Sequence, residues 1–339
     1  MRILVTGATG FIGRRAVALL RAAGHECVCL DRLPLPGDGP TDGFIRGDIR
    51  SLEAVRSSIA ECQAVLHLAA AHHDFGISAE TYHDVNVTGT EVVLRAMDEV
   101  GIGNIAFFST AAVYGATGGV RTEETPPAPA TPYGSTKLAA EGLLSRWAAA
   151  ETSRAVLIIR PTVVFGPGNH ANMFTLIRQI DRGRFAFVGS GTNRKSLAYV
   201  GNLVEALLQR WPMPAVPGVR LYNYADLPDL TSRQIAEAVY SGLNRRAPGW
   251  QIPMPLARSI AAPFDLLTTL TGRDLGLSSA RLAKFAAAET RLAPAAMAAE
   301  GYVPRVPLRE AIAEMVEWYL KEGAAHPEPP RLPPAHPDK

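Results

Sequence analysis

Through the first 160 residues, short unbroken apolar runs alternate with stretches whose apolar positions recur every three or four residues. The runs at 3–6, 27–30, 64–67, 105–109 and 156–160 are too short for helices and rich in β-branched or aromatic side chains, so they predict strands. They are continuous rather than alternating, which is expected when both faces of a sheet are covered. Between the first two, Ile12, Ala16, Leu19, Leu20 and Ala23 share one helical face, and Gly24 stands where such a helix would stop. The same spacing predicts helices over 52–60, 80–100 and 135–149. Strand and helix in regular alternation predict an α/β fold with a doubly wound parallel sheet.

After residue 160 the pattern changes. Pro161, Gly166, Pro167 and Gly168 mark a loop, and the remainder mixes helical patterns with isolated strands such as 220–224. This reading divides the chain into a unit at 1–165, with some later segments returning to it, and a smaller C-terminal substrate-binding lobe at 166–322. Residues 325–339 hold six prolines without apolar periodicity and are expected to be a disordered tail.

Composition narrows the classes. An apolar content of 47% excludes a disordered chain. Lys+Arg 34 against Asp+Glu 32 is too balanced for a general nucleic-acid binder. Cys27, Cys29 and Cys62 form no C-x-x-C pair and read as buried thiols in a reducing compartment. The first apolar run leads straight into a glycine turn, unlike a signal peptide, and the apolar stretch at 256–270 is interrupted by Arg258 and Asp265. That stretch reads as a core or interface helix rather than a membrane span, and a cytoplasmic protein is expected.

The first candidate chemistry is Thr-Gly-Ala-Thr-Gly-Phe-Ile-Gly at 6–13, between a predicted strand and a predicted helix. Gly7 permits a tight turn, Gly10 lets a pyrophosphate approach the backbone, and Gly13 allows helix and strand to touch. The helix N-terminus then offers N–H groups and a positive dipole end to phosphate. Asp31 closes the second strand 18 residues after Gly13, where a carboxylate accepts from ribose hydroxyls and repels a 2′-phosphate. This favours NAD over NADP, although the adjacent Arg32 is a possible phosphate partner. Asp48 is a candidate for the adenine amino group or, equally, part of a helix cap.

The second is Tyr-Gly-Ser-Thr-Lys at 133–137. If a helix begins here, as Pro132 suggests, Tyr133 and Lys137 lie on one face. A phenol with an ordinary pKa near 10 is a poor base at neutral pH, but a neighbouring ammonium favours its phenolate. Tyr133 is then able to take a proton from an alcohol whose hydride leaves for a nicotinamide. The third is Thr110, at the carboxyl end of the strand at 105–109, where α/β sheets bind ligands.

Taken together, the chain resembles an extended short-chain dehydrogenase/reductase of the NAD-dependent epimerase/dehydratase family, with a Rossmann-type sheet. The likeness spans about residues 1 to 320 and is carried by TGATGFIG, Asp31, GDI at 47–49, HLAA at 67–70, NVTGT at 86–90, STAAVYG at 109–115, PYGSTK at 132–137 and RPTVVFGPG at 160–168. The resemblance implies Thr110, Tyr133 and Lys137 as the catalytic set. It implies a cofactor site of Gly7, Gly10, Phe11, Ile12, Gly13, Asp31, Arg32, Asp48, Ile49, Leu68, Ala69, Ala70, Asn86, Tyr133, Lys137, Pro161 and Val163. It also implies a homodimer formed by helices near 80–100 and 135–150.

Ala111 and Ala112 stand where dehydratases of this family carry their second acid–base residues. The resemblance therefore implies hydride chemistry alone: a nucleotide-sugar epimerase acting through transient oxidation at C4, or a net dehydrogenase or ketoreductase of a sugar, steroid-like or other secondary alcohol. An NAD-sensing regulatory protein is the non-enzyme alternative. Asn172, Phe187, Lys195, His72 and Thr110 are candidate substrate contacts. Each of the first three has a plain structural alternative: a helix cap, a core side chain and a solvated charge. His72, His73 and Asp74 lack a third ligand at helical spacing, so no metal site is expected. Val163 stands where sugar epimerases usually have Asn, and SSARLAKF at 278–285 replaces an Arg-x-x-Asp, which leaves a lipid-linked or unusual sugar open.

Overall fold

The computed structural model describes residues 1–34, 43–72, 77–115, 119–211, 215–257, 259 and 290–325. Most of residues 256–270, and all of His73, Asp74, 278–285 and 326–339, lie outside the described residues.

Elements follow the order β1 (Arg2–Thr6), α1 (Phe11–Ala22), β2 (Glu26–Asp31), β3 (Phe44–Arg46), α2 (Leu52–Ile59), β4 (Ala64–His67), α3 (Ala79–His83), α4 (Gly89–Val100) and β5 (Asn104–Phe108). Next come β6 (Val120–Arg121), α5 (Pro132–Ala149), β7 (Ala155–Pro161), β8 (Val163–Phe165), α6 (Asn172–Asp181), β9 (Arg194–Tyr199), α7 (Val200–Arg210) and β10 (Gly218–Tyr224). The chain continues through β11 (Asp226–Thr231), α8 (Ser232–Gly242), β12 (Arg291–Leu292), α9 (Ala295–Ala299) and α10 (Leu308–Trp318).

Seven parallel strands form the central sheet in the order β10-β7-β5-β4-β1-β2-β3, the Rossmann-type arrangement the alternation predicts. Alternate side chains of each strand feed opposite faces. Ile3 and Val5 of β1 enter one core while Leu4 enters the other, which explains the unbroken apolar runs. The core holding Ile3 and Val5 continues through Phe174, Leu197, Tyr240, Ile312 and Met315 of the later segments. Smaller sheets, β11-β9-β8 and β12-β6, join the later strands to Val120–Arg121 and Val163–Phe165.

Three elements differ from the expectation. Residues 220–224 are no isolated strand: β10 runs parallel to β7 at the edge of the central sheet, and its last three residues are buried there. The helix expected over 80–100 is interrupted by a wide π-turn at Asp84–Thr88. Asn86 occupies that turn, and the extra residue lets its amide reach both sides of the site. Finally, α5 starts three residues before 135. Thr131 caps it by accepting from the Gly134 N–H, and Pro132, with no N–H to lose, fills the first helical position.

β1 pairs with β2 on one side and β4 on the other, so the strand order reverses across β1. The crevice at the carboxyl ends of β1 and β4 is the place such a sheet offers a ligand.

Candidate active site

The loop after β1 is built by contact. Gly7 sits at φ +69, and a Cβ there would lie 2.7 Å from the Ala69 nitrogen, so the turn rests directly on the segment after β4. A Cβ on Gly13 would come 2.1 Å from the Gly7 oxygen. At Gly10 the nearest atom to a Cβ would be the Gly7 oxygen at 3.2 Å, and Gly10 provides no side-chain cap to α1. Phe11 and Ile12 are half-buried on the first turn. The shape leaves the helix N-terminus to an anion.

Asp31 accepts from the Thr9 N–H at 3.0 Å and the Arg32 N–H at 2.7 Å, which fixes its carboxylate beside the glycine loop. The Arg32 guanidinium leans toward Asp48 instead, with Nε 3.6 Å from Oδ2. Asp48 also accepts from Arg50 through the backbone N–H, Nε and Nη2. Burial works against its charge, but the Arg50 hydrogen bonds hold the carboxyl below the usual range. Ser51 is the residue that caps α2, and Asp48 stands three residues before it in the cap region, its backbone oxygen accepting from the Ser51 N–H at 3.0 Å. Leu68, Ala69 and Ala70 line the crevice half-buried.

Two cofactor candidates are placed differently from the expectation. Ile49 is 5% exposed and packs in the core over Gly89, so its side chain cannot line the site. Asn86 is 2% exposed, accepts from Ala71 N–H, and donates to Ala71 O and to Thr136 Oγ1. Its amide ties the segment after β4 to α5 and is spent on protein.

Two residues past β5, the Thr110 Oγ1 accepts from the Ala112 N–H at 3.1 Å, leaving its own hydrogen as the one to offer. Ser109 beside it carries a buried hydroxyl with no partner among the described residues. Gly134 in the first turn of α5 touches this wall: a Cβ would lie 2.6 Å from the Ala112 oxygen. No other residue permits that approach, which brings Tyr133 alongside the Thr110 turn. Tyr133 is half-buried, with its ring 6.2 Å from that of Tyr82. Lys137 is 2% exposed, and its Nζ lies 3.9 Å from the centre of the Phe107 ring. Burial pushes its pKa down to about 7, opposed by the Glu141 charge.

The substrate candidates scatter. His72 is exposed at the lip of the crevice. Asn172 is exposed in the first turn of α6, but Ala171 is the cap residue, so the cap alternative fails. Phe187 is 4% exposed, flanked by Phe185 and Tyr240 and covered by the Arg233 guanidinium; it is core and has no free face for a base. Lys195 is half-buried on β9 and bridges to Thr290. Pro161 is buried at the end of β7, and Val163 is 42% exposed at the start of β8.

The sequence reading missed a buried chain beneath the crevice. The Ala69 N–H donates to Thr6 Oγ1, which lies 2.7 Å from His67 Nδ1. His67 Nε2 lies 3.1 Å from Thr90 Oγ1, which donates to the Asn86 oxygen. Because Thr90 gives its hydrogen to Asn86, Nε2 must be the protonated nitrogen of a neutral ring. Burial, with Lys137 nearby, holds the His67 pKa down at about 3. HLAA at 67–70 was visible as a motif, but only β4–β5 packing shows what His67 touches.

A glycine turn at the switch point of a Rossmann-type sheet and a tyrosine–lysine pair on one face of α5 fit a dinucleotide-dependent hydride-transfer enzyme. The sequence pattern of the NAD dependent epimerase/dehydratase family matches residues 3–222, and the chain belongs to that family. It is an NAD-dependent enzyme, and the glycine turn and Asp31 fit that dinucleotide. The chain is 39% identical over 286 residues to the N-acetyl-alpha-D-glucosaminyl-diphospho-ditrans,octacis-undecaprenol 4-epimerase of Escherichia coli O157:H7, covering 84% of this chain and 85% of that one. It is 30% identical over 286 residues to the UDP-glucose 4-epimerase of Vibrio cholerae, covering 80% and 85%. Among solved structures, MoeE5 in complex with UDP-glucose and NAD superimposes with a TM-score of 0.72 at 27% identity, covering 94% of this chain and 99% of that one.

Proposed function

We propose that the protein inverts C4 of a sugar held through a diphosphate, with a nucleotide sugar as substrate. The observation supporting this reading is the contact of Gly134 with Ala112, which brings the first turn of α5, with Tyr133, against the turn that follows Thr110. Bound NAD would supply a hydride acceptor and donor; Gly7, Gly10, Gly13 and Asp31 would hold its diphosphate and ribose. Tyr133 takes the C4 hydroxyl proton as phenolate and returns it when the ketone is reduced. Lys137 stabilises that phenolate, and Thr110 donates to the reacting oxygen. Ala111 and Ala112 offer no second acid or base, so elimination of water has no residue to drive it. Residues 1–165 serve as the cofactor half and 166–322 as the substrate lobe. A cytoplasmic homodimer through the helices near 80–100 and 135–150 follows from the family resemblance, and light scattering tests the dimer.

A second reading replaces the nucleotide by a polyprenol. It is favoured by Val163, 42% exposed where the nucleotide-sugar pattern has Asn, and by the relative that acts on an undecaprenol-linked sugar. Among the described residues no helix is long and apolar enough to cross a membrane, so such a substrate would be met at a surface.

The test is incubation of the purified protein with UDP-linked hexoses and with polyprenyl-diphosphate hexosamine, followed by product NMR. A C4 epimer formed without consumption of added NAD is expected. Stoichiometric cofactor consumption would instead establish a dehydrogenase, and turnover of the polyprenyl substrate alone would select the second reading.

A further inference from the structure

Behind Lys137 lies a buried polar assembly that the reaction scheme does not use. Glu141 follows Lys137 by one helical turn, and Tyr133 precedes it by one, so all three share a face of α5. Glu141 and Arg160 are both 5% exposed. Arg160 donates from Nε to Glu141 Oε1 at 2.9 Å and from Nη2 to Oε2 at 2.5 Å, a bidentate pair between α5 and β7. Its Nη1 donates to the Tyr114 hydroxyl at 2.8 Å, and Tyr114, itself fully buried, donates to Asn223 Oδ1 at 2.8 Å. The Asn223 N–H in turn donates to Glu123. Tyr114 lies four residues past Thr110, so the assembly touches the walls carrying all three catalytic side chains.

We propose that Glu141, locked by Arg160 and Tyr114, is a positioning residue that keeps Lys137 charged and thereby sets the ionisation of Tyr133. The inference rests on the Tyr133–Lys137 reading above and deepens it. A buried ion pair is seldom a net source of stability, because desolvation offsets the attraction. Here the pair costs two buried charges in a strand already packed by Val156, Ile158 and Ile159. What the carboxylate does supply is a negative charge one turn behind an ammonium that burial otherwise strips of its proton. The other groups facing Lys137 give no such help. His67 on β4 is neutral, Phe107 on β5 offers only a ring face, Tyr133 on α5 is the group to be ionised, and Arg160 on β7 is a cation.

The direction of the effect separates this role from a structural one. Loss of the Glu141 charge lets Lys137 shed its proton at lower pH, so Tyr133 becomes harder to ionise. If Glu141 acted on Tyr133 directly, or only as packing, its loss would make the phenol easier to ionise or leave it unchanged. The measurement is a near-ultraviolet phenolate titration of the NAD-loaded protein, with the same titration of Tyr133→Phe subtracted in each background. Glu141→Gln is expected to raise the Tyr133 midpoint by about one pH unit, a tenfold change in its ionisation constant. Glu141→Asp, which keeps the charge, is expected to restore most of it. Should Glu141→Gln fail to fold with Arg160 left unpaired, Glu141→Gln combined with Arg160→Met removes both charges of the pair, and a rise in the same direction but smaller is expected. An unchanged or lowered midpoint in whichever of these variants folds and retains NAD overturns the proposal. No sugar is needed, so a failed substrate assay leaves this result readable; conversely, wild-type turnover by Tyr133→Phe would sink the functional reading itself.

Discussion

The two halves of the molecule bury their titratable groups for opposite ends. The N-terminal half encloses two basic groups, His67 and Lys137, and burial holds both below their ordinary pKa, at about 3 and about 7. The C-terminal region encloses an acid, Asp226, 1% exposed, which accepts from the Tyr199 N–H, from Asn202 Nδ2 and from the Tyr224 hydroxyl. Burial outweighs those three donors and pushes its pKa up to about 6. Asn202 extends the grip to both backbone groups of Val306, and Tyr302 donates to the Asn202 carbonyl. Asp226 is thus surrounded and fastens β11, α7 and the segment after α9 together. Lys137, by contrast, rests on an aromatic face beside the crevice. A buried carboxyl that three donors tie to neighbouring elements marks a joint, whereas a buried amine resting on a ring face marks chemistry held ready for a ligand.

The sharpest way to break this contrast is Lys137→Met. Its turnover is expected to fall about 10²–10⁴-fold. Its folding stability near neutral pH is expected to rise by on the order of 1–4 kcal/mol, since a desolvated ammonium is replaced by an apolar chain. Denaturant unfolding alongside an activity assay reads both. A variant both inactive and less stable would show that Lys137 is a scaffold residue after all.

His67→Gln addresses acid sensitivity. Between about pH 6.5 and 3 the unfolded chain binds a proton that folded His67 refuses, so stability present above 6.5 is lost as pH falls. From pH 6.5 to 5 the loss is roughly 1.5–2 kcal/mol, and the variant is expected to abolish it. Urea midpoints at the two pH values decide; an equally steep fall in the variant assigns the acid response elsewhere.

Asp226→Asn is expected to remove a smaller effect of opposite sign. Between pH 3.8 and about 6 folded Asp226 keeps a proton that the unfolded chain has released, so acidification favours the fold. Over the same pH interval this amounts to about 1 kcal/mol, and its removal should steepen the overall acid loss. A shallower loss in the variant would show that the three donors outweigh burial and that folded Asp226 is ionised more readily than the free acid.

What was legible in the sequence was whatever depends on neighbours along the chain. The five apolar runs, the glycine turn and the Tyr133–Lys137 spacing are local, and β1, β2, β4, β5 and β7 follow them closely. A strand at 220–224 was visible too, but not its partner, because joining β7 is a choice made across more than fifty residues of intervening chain. Asn86 and Ile49 were assigned to the cofactor from their motifs. Only the fold reveals that one amide is consumed by Ala71 and Thr136 and that the other side chain points into the core. Phe187 carried both readings in the sequence, and the Arg233 guanidinium over its ring decides for the core. The Glu141–Arg160 pair joins residues 19 apart on a helix and a strand, a relation no periodicity encodes.

The contact between Gly134 and Ala112 has a bearing on how a sugar is turned over. With no side chain between them, the first turn of α5 and the turn after Thr110 meet backbone to backbone. In the proposed reaction this contact would leave Tyr133 and Thr110 little room to part, so inversion would fall to rotation of the ketone rather than to rearrangement of the two side chains.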